Sequence, residues 1–282
     1  ITTATSIAAG GNYTCALLDD ATIKCWGYNF YGQLGNATNT NSNIPVTVSG
    51  ITTATAIAAG DLSSCALLAN AKIKCWGYNG YGELGDATNT NSNVPVTVFG
   101  IPLPLPIAVA AGASHTCAAL ATGSVTCWGD NTYGQLGDGT NVSSLTPVSV
   151  SNISTAVAIA AGDLHTCALL EDGTVECWGY NGDGQLGDGT GDDSNTPVAV
   201  SGISTAIAID TGGSVTCALL ADAGIKCWGK NAAGQLGTGN TTSSATPVSV
   251  TGITTATSVG VGDDHTCASL ANGSVKCWGA NS

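Results

Sequence analysis

The chain has 282 residues, 43% hydrophobic and only 9% charged, with 19 acidic residues against six basic ones and a net charge of −13. All six bases are lysine, so no guanidinium is present for bidentate phosphate or base contacts, and the negative charge repels a phosphate backbone; nucleic-acid binding is disfavoured. No apolar run approaches the ~20 residues of a membrane-spanning helix, and 39 glycines at regular positions suit tight turns rather than disorder.

Cys-Trp-Gly occurs six times, at Cys25, Cys75, Cys127, Cys177, Cys227 and Cys277, and each of these cysteines has a partner ten positions earlier: Cys15, Cys65, Cys117, Cys167, Cys217 and Cys267. A period of about 50 residues with β-type sequence points to one propeller or related array rather than to ordinary domains. The units run approximately over 1–50, 51–100, 101–152, 153–202, 203–252 and 253–282 of a single body.

Units one and two share a hydroxyl- and amide-rich stretch at 36–48 and 86–98, suited to bonding sugars, capping sheet edges or carrying glycans. Unit three opens on Ile101, Pro102, Leu103, Pro104, Leu105 and Pro106, two residues longer than its counterparts. This stretch is expected to be an extended connection or contact between blades.

Unit four shows the repeat most plainly. Ala156 to Gly162 is a short apolar strand ending at glycine, followed by His165-Thr-Cys-Ala-Leu-Leu170, a turn at Glu171-Asp-Gly173, and Thr174-Val-Glu-Cys-Trp-Gly179. The pattern predicts a β-hairpin with a three-residue loop, Gly173 taking the left-handed position. In that register Leu169 faces Val175 and Cys167 faces Cys177. A turn-rich connector from Tyr180 to Thr190 follows, with Leu186 as an apolar plug, and then a strand at Thr196 to Val200. Pro197 cannot donate to a ladder, so this strand starts or lies at a blade edge. Four short strands per unit make one propeller blade.

Opposed cysteines in a non-hydrogen-bonded antiparallel pair have Cα atoms ~4.5 Å apart, near the short end of disulfide geometry. Six bridges within blades are predicted: Cys15–Cys25, Cys65–Cys75, Cys117–Cys127, Cys167–Cys177, Cys217–Cys227 and Cys267–Cys277. Each closes a short loop and stabilises by roughly 3 kcal/mol in the chain-entropy model. Buried free thiols are the alternative; zinc fails on ligand spacing. Paired cysteines suit an oxidising compartment, so the expected location is secreted or cell-surface. Sequons at Asn12, Asn36, Asn141, Asn152, Asn240 and Asn272 accord with a secreted glycoprotein, although a sequence rich in Asn, Ser and Thr produces them by chance. Ile1 is not a translation start, since the chain has no methionine, and a removed leader or an upstream segment is expected before it.

The elements His-Thr-Cys-Ala-Leu-Leu, Gly-Thr-Val-Glu-Cys-Trp-Gly, Asn-x-x-Gly-Gln-Leu-Gly-Asp-Gly-Thr and Thr-Pro-Val resemble the repeats of the regulator of chromosome condensation family, and the resemblance covers the whole chain. It implies a β-propeller, most often of seven blades, whose relatives include a nuclear exchange factor for a small GTPase, ubiquitin ligase subunits and a secreted bacterial inhibitor of β-lactamase. Activity does not follow from the shared scaffold. The absence of arginine and the paired cysteines disfavour nucleotide exchange and nucleosome binding, and the secreted bacterial type is the nearest analogy. Only five Pro-Val strands are present, at Pro45, Pro95, Pro147, Pro197 and Pro247, against six cysteine hairpins. The closing segment of the sixth blade is expected from residues beyond 282, from a neighbouring copy, or not at all.

Candidate chemistry is sparse. His115, His165 and His265 occupy one repeat position and read as structural, not as a converging catalytic or metal group. Gly-x-Gly-x-x-Gly at Gly80 and Gly182 opens a connector, not a helix, and is no dinucleotide site. Asp188, Asp192 and Asp193 form the densest oxygen cluster, a weak calcium candidate beside the simpler reading of a solvated loop. The six tryptophans are expected between blades. Phe30, Tyr31, Tyr81 and Tyr133 sit in variable connectors and form a possible interaction surface.

These features predict an all-β propeller of six four-stranded blades, incomplete or longer in the native chain, with no cofactor and no catalytic group. The expected function is a non-enzymatic extracellular structural or binding module, presenting loops to protein or glycan partners or assembling with copies of itself into a cell-surface fibre. The alternative is a secreted protein inhibitor or ligand-binding propeller that uses one face.

Overall fold

The computed structural model describes residues 1–101 and 105–281. Residues 102–104 of the stretch expected to connect blades two and three lie outside the described residues. The chain forms two compact units, one of residues 1–132 with 142–149 and one of residues 133–141 with 150–282. Every sheet is an antiparallel meander in chain order.

The first unit holds three sheets: β1 (Ala4–Ala9), β2 (Tyr13–Leu18), β3 (Ile23–Gly27) and β4 (Ser42–Thr47); β5 (Ala54–Ala59), β6 (Ser63–Leu68), β7 (Ile73–Gly77) and β8 (Ser92–Thr97); β9 (Pro106–Ala111), β10 (His115–Leu120), β11 (Val125–Gly129) and β12 (Ser144–Ser149). The second holds β13 (Ala156–Ala161), β14 (His165–Leu170), β15 (Val175–Gly179) and β16 (Ser194–Ala199); β17 (Ala206–Gly212), β18 (Val215–Leu220), β19 (Ile225–Gly229) and β20 (Ser244–Ser249); and β21 (Ala256–Val261), β22 (His265–Leu270) and β23 (Val275–Gly279). Among the described residues, five sheets have four strands and the sixth has three. The three-stranded sixth sheet is the incomplete blade expected from the sequence, where the Pro-Val segment that supplies each fourth strand occurs only five times.

In the first five blades the second strand is covered on both faces, and its last four residues, from the cysteine to the final leucine, form an apolar run. Strand β6 is buried at all six positions. Within the first unit, Cys15 and Ile23 of one sheet share a core with Ala66, Leu68 and Trp76 of the next. Within the second, Leu169 and Val175 pack with Ala218 and Trp228. Such two-sided burial produces runs of hydrophobes where a half-exposed strand would alternate.

The hairpin register is the predicted one. Cys167 faces Cys177 and Leu169 faces Val175. All six cysteine pairs are bonded as expected, with Cα separations of 4.0 to 4.1 Å. The turn closes through the Leu170 N–H donating to the Thr174 carbonyl at 2.9 Å, and Gly173 is left-handed at φ 79°. In three other blades alanine holds that same left-handed position, at Ala21 (φ 61°), Ala71 (φ 57°) and Ala223 (φ 63°). Each proline strand lies at its sheet's edge, and the proline sits inside the strand rather than at its start. There its missing N–H costs no ladder bond.

Candidate functional site

The connector after each of the first five Cys-Trp-Gly motifs carries one buried asparagine. The Asn29 side-chain carbonyl accepts the Leu34 N–H at 2.8 Å, and its amide donates to the carbonyls of Thr38 and Thr40, both at 3.0 Å. Its own N–H donates to Asn41 Oδ1 at 2.8 Å. Asn79 repeats the set with Leu84, Thr88, Thr90 and Asn91. Asn181 repeats it with Leu186, Thr190, Asp192 and Asp193, and Asn231 with Leu236, Asn240, Thr242 and Ser243. A buried amide whose donors and acceptor are all engaged fixes a loop that has no regular structure of its own.

On this scaffold the first unit carries an aromatic surface. Phe30 and Tyr31 meet edge to face at 5.0 Å between ring centroids, and Tyr31 meets Tyr78 of the next blade at 5.0 Å. Tyr28 lies 6.4 Å from Phe30 with nearly parallel rings. Tyr81 stands three residues after Tyr78 in the same connector. Phe30 is 63% exposed and Tyr81 49%, whereas Tyr28, Tyr31 and Tyr78 are half-buried. Offset and edge-on ring pairs add to the burial energy and hold the rings in place. The rim is amide: Asn39 donates to the Phe30 carbonyl at 2.9 Å, and Asn93 donates to Asn39 Oδ1 at 2.8 Å. Of the four aromatic residues singled out from sequence, Phe30 and Tyr31 are in ring contact, and Tyr81 stands on the following connector, whose Tyr78 meets Tyr31. Tyr133 belongs to the second unit, where it packs edge-on against Tyr180 at 5.0 Å.

The tryptophans and the repeat glutamine form a second device, which sequence reading missed in part. Trp76 Nε1 donates to the main-chain carbonyl of Gln33 at 2.9 Å, and Ser64 Oγ donates to the same oxygen at 3.0 Å. Trp128 with Thr116 on Glu83, Trp178 with Thr166 on Gln135, Trp228 with Thr216 on Gln185, and Trp278 with Thr266 on Gln235 repeat it. The packing role expected for tryptophan therefore includes a hydrogen bond between consecutive repeats. Trp26 is half-exposed.

Glu83 replaces the glutamine of the other repeats and is fully buried. Its Oε2 accepts the Tyr81 N–H at 3.0 Å. Burial, with a smaller push from the Asp130 carboxylate, raises its carboxyl to about 7. His115, in the same unit, is pushed down to about 4 by burial and is neutral. His165 Nε2 lies 2.8 Å from Thr216 Oγ1, and at the equivalent position in blade one the Tyr13 hydroxyl donates to the Ser63 carbonyl at 2.6 Å. This position joins one blade to the next.

The three aspartates considered for calcium hold their own loop. Asp188 Oδ1 accepts the Thr190 N–H at 2.9 Å, Asp193 Oδ1 accepts the Asn181 N–H at 2.7 Å, and the Asp192 carbonyl receives the Asn181 amide. Among the described residues no three His, Cys, Asp or Glu side chains are placed to hold a metal ion. The structure also has no helix long and apolar enough to cross a membrane among the described residues.

Antiparallel sheets, five of them four-stranded among the described residues and each of the six clipped by one disulfide, define the class: a repeat β-propeller. The chain belongs to the RCC1-like domain family, whose model matches residues 2–282. It is similar to yeast RCC1 (Prp20), solved bound to Kap60, at 23% identity over 97% of this chain and 69% of that one, with a TM-score of 0.86. Human WBSCR16 aligns at 22% identity over 98% of this chain and 76% of that one, with a TM-score of 0.87. The ectodomain of the receptor kinase CR4 from Physcomitrella patens aligns at 23% identity over 98% and 62%, with a TM-score of 0.63. No curated protein sequence matches. At these identities the likenesses establish the fold, which commonly serves as a protein-binding module.

Proposed function

We propose that the chain is a non-enzymatic extracellular binding module, secreted or displayed at a cell surface, which contacts a protein or glycan partner through Phe30, Tyr31 and Tyr81. The observation that carries this reading is the edge-packed ring pair Phe30–Tyr31, with Phe30 exposed on a connector pinned by Asn29 and Tyr81 exposed on the next, pinned by Asn79. Rigid amphipathic rings supply contact area at low entropic cost, and the amide rim supplies hydrogen bonds. Six disulfides support the oxidising location. The binding of Kap60 by a structural relative supports a propeller that works by contact.

The test compares the protein with a Phe30→Ala, Tyr31→Ala, Tyr81→Ala variant on glycan arrays and on panels of immobilised extracellular proteins. A ligand bound by the parent and lost by the variant, at unchanged Tm, is expected. Equal binding by both proteins overturns the assignment of the site.

A further inference from the structure

The aromatic surface of the first unit is electrically neutral and rimmed with amides, which narrows the chemistry of what it can hold. Residues 28–43 contain no charged side chain, in a chain whose net charge is −13. Residues 78–93 contain two, Glu83 and Asp86. Glu83 is fully buried, and the Asp86 carboxylate accepts the Thr88 N–H at 3.0 Å and the Thr88 hydroxyl at 2.7 Å. The exposed large apolar side chains of the two stretches are Phe30 and Tyr81. Tyr31 joins Phe30 to Tyr78, and the missing side chain of Gly80 makes room for the Tyr78 hydroxyl next to Tyr81.

Two amides beside the Phe30 ring keep hydrogen-bonding groups in hand. Asn39 directs one N–H to the Phe30 carbonyl, and its Oδ1 accepts from Asn93. Among the described residues, the second N–H of each amide and the Asn93 Oδ1 have no protein partner. The second unit repeats the amide pair, Asn195 donating to Asn141 Oδ1 at 3.0 Å. There Thr132 stands nine residues before Asn141, where Phe30 stands nine before Asn39. Ring and amide pair therefore coincide in the first unit.

We infer that the ligand of this surface is a neutral oligosaccharide, one sugar stacked on Phe30 with its hydroxyls bonded to the Asn39 and Asn93 amides; the inference rests on the contact site proposed above. The C–H groups of a pyranose ring are weakly positive and fit the negative face of an aromatic ring. Sugar hydroxyls both donate and accept, so they match an amide at either end. An anionic glycan finds no cation in either stretch, and the net charge of the chain repels it. A protein partner covers about 800 Å² per side around a large apolar centre. Two exposed rings set among amides and hydroxyls do not supply one. Tyr81, on the following connector, adds a second ring and favours a chain of sugars over a single one.

The test titrates residues 1–282 with four neutral hexasaccharides (cellohexaose, xylohexaose, mannohexaose and chitohexaose) and with anionic hexagalacturonate. Saturable binding of at least one neutral hexasaccharide is expected, changing less than about twofold between about 50 and about 500 mM NaCl. Phe30→Leu keeps apolar bulk without a ring face and is expected to weaken binding by about tenfold or more at unchanged Tm, whereas Phe30→Tyr stays within about threefold. Asn93→Ala is expected to weaken it about fivefold, and Asn195→Ala, in the amide pair of the second unit, to leave it unchanged. Binding of none of the neutral hexasaccharides, or tighter binding of hexagalacturonate, overturns the inference. A protein ligand lost by the Phe30→Ala, Tyr31→Ala, Tyr81→Ala variant, with no hexasaccharide bound by the parent, overturns it while upholding the contact site. Equal hexasaccharide binding by the parent and that variant overturns both.

Discussion

Trp178 Nε1 and Thr166 Oγ both donate to the main-chain carbonyl of Gln135, each at 2.9 Å. One oxygen thus takes two side-chain bonds from the following sheet, inside a site where Trp178 is fully buried. Trp178→Phe removes one bond and part of a packed ring, and is expected to cost about 2 kcal/mol. Trp26→Phe, at the half-exposed position, is expected to cost less than about 1 kcal/mol. Chemical denaturation of the two variants measures the difference.

Glu83 is raised from an ordinary 4.5 to about 7, so the folded protein keeps a proton that the unfolded chain has released between those values. Stability contributed by this residue therefore falls as pH rises through that window, and the penalty is complete above it. Glu83→Gln restores the repeat residue without the charge. The variant is expected to gain about 1–3 kcal/mol over the parent at pH 8. Near pH 4 the two are expected to be nearly equal. Paired thermal melts at the two pH values check the sign.

Ala21, Ala71 and Ala223 are held left-handed where other blades use Gly173 or its equivalents. Replacing each by glycine relieves the Cβ clash and is expected to stabilise by about 0.5–1 kcal/mol per site, after the larger chain entropy of glycine is deducted. Gly173→Ala is expected to destabilise by a similar amount. Denaturant midpoints at constant m-value report these changes.

Cys277 is exposed, while Cys25, Cys75, Cys127, Cys177 and Cys227 are wholly buried. Mild reduction of the native protein, followed by alkylation, is expected to label Cys267 and Cys277 first. Peptide mass mapping across a reductant titration shows the order, and simultaneous labelling of all twelve cysteines contradicts it.

The hairpin was legible in the sequence because its determinants are local: Cys167 and Cys177 flank a three-residue loop, and one register opposes them. Pro197 announced an edge strand through chemistry that any edge would satisfy. The role of Asn181 was harder to see. Its partners lie between five and twelve residues away in an irregular loop, so no strand or helix period marks them. The aspartates beside it read mainly as a solvated loop with a weak calcium alternative, because an oxygen-rich loop looks alike in sequence whether it serves a cation or its own backbone. The Gln135 carbonyl left no trace of its role, since main-chain acceptors carry no residue code. The meeting of Tyr31 with Tyr78 depends on two connectors 47 positions apart in the numbering and becomes visible only once adjacent blades are stacked.

Every sulfur in the chain finds its mate ten positions away. Oxidation is therefore a neighbourhood affair, needing no sulfur from another repeat. A chain with this many thiols would ordinarily court mispairing and depend on an isomerase to repair it. Here the correct partner is always the nearest one, so lengthening the array by further copies multiplies the crosslinks without multiplying the errors.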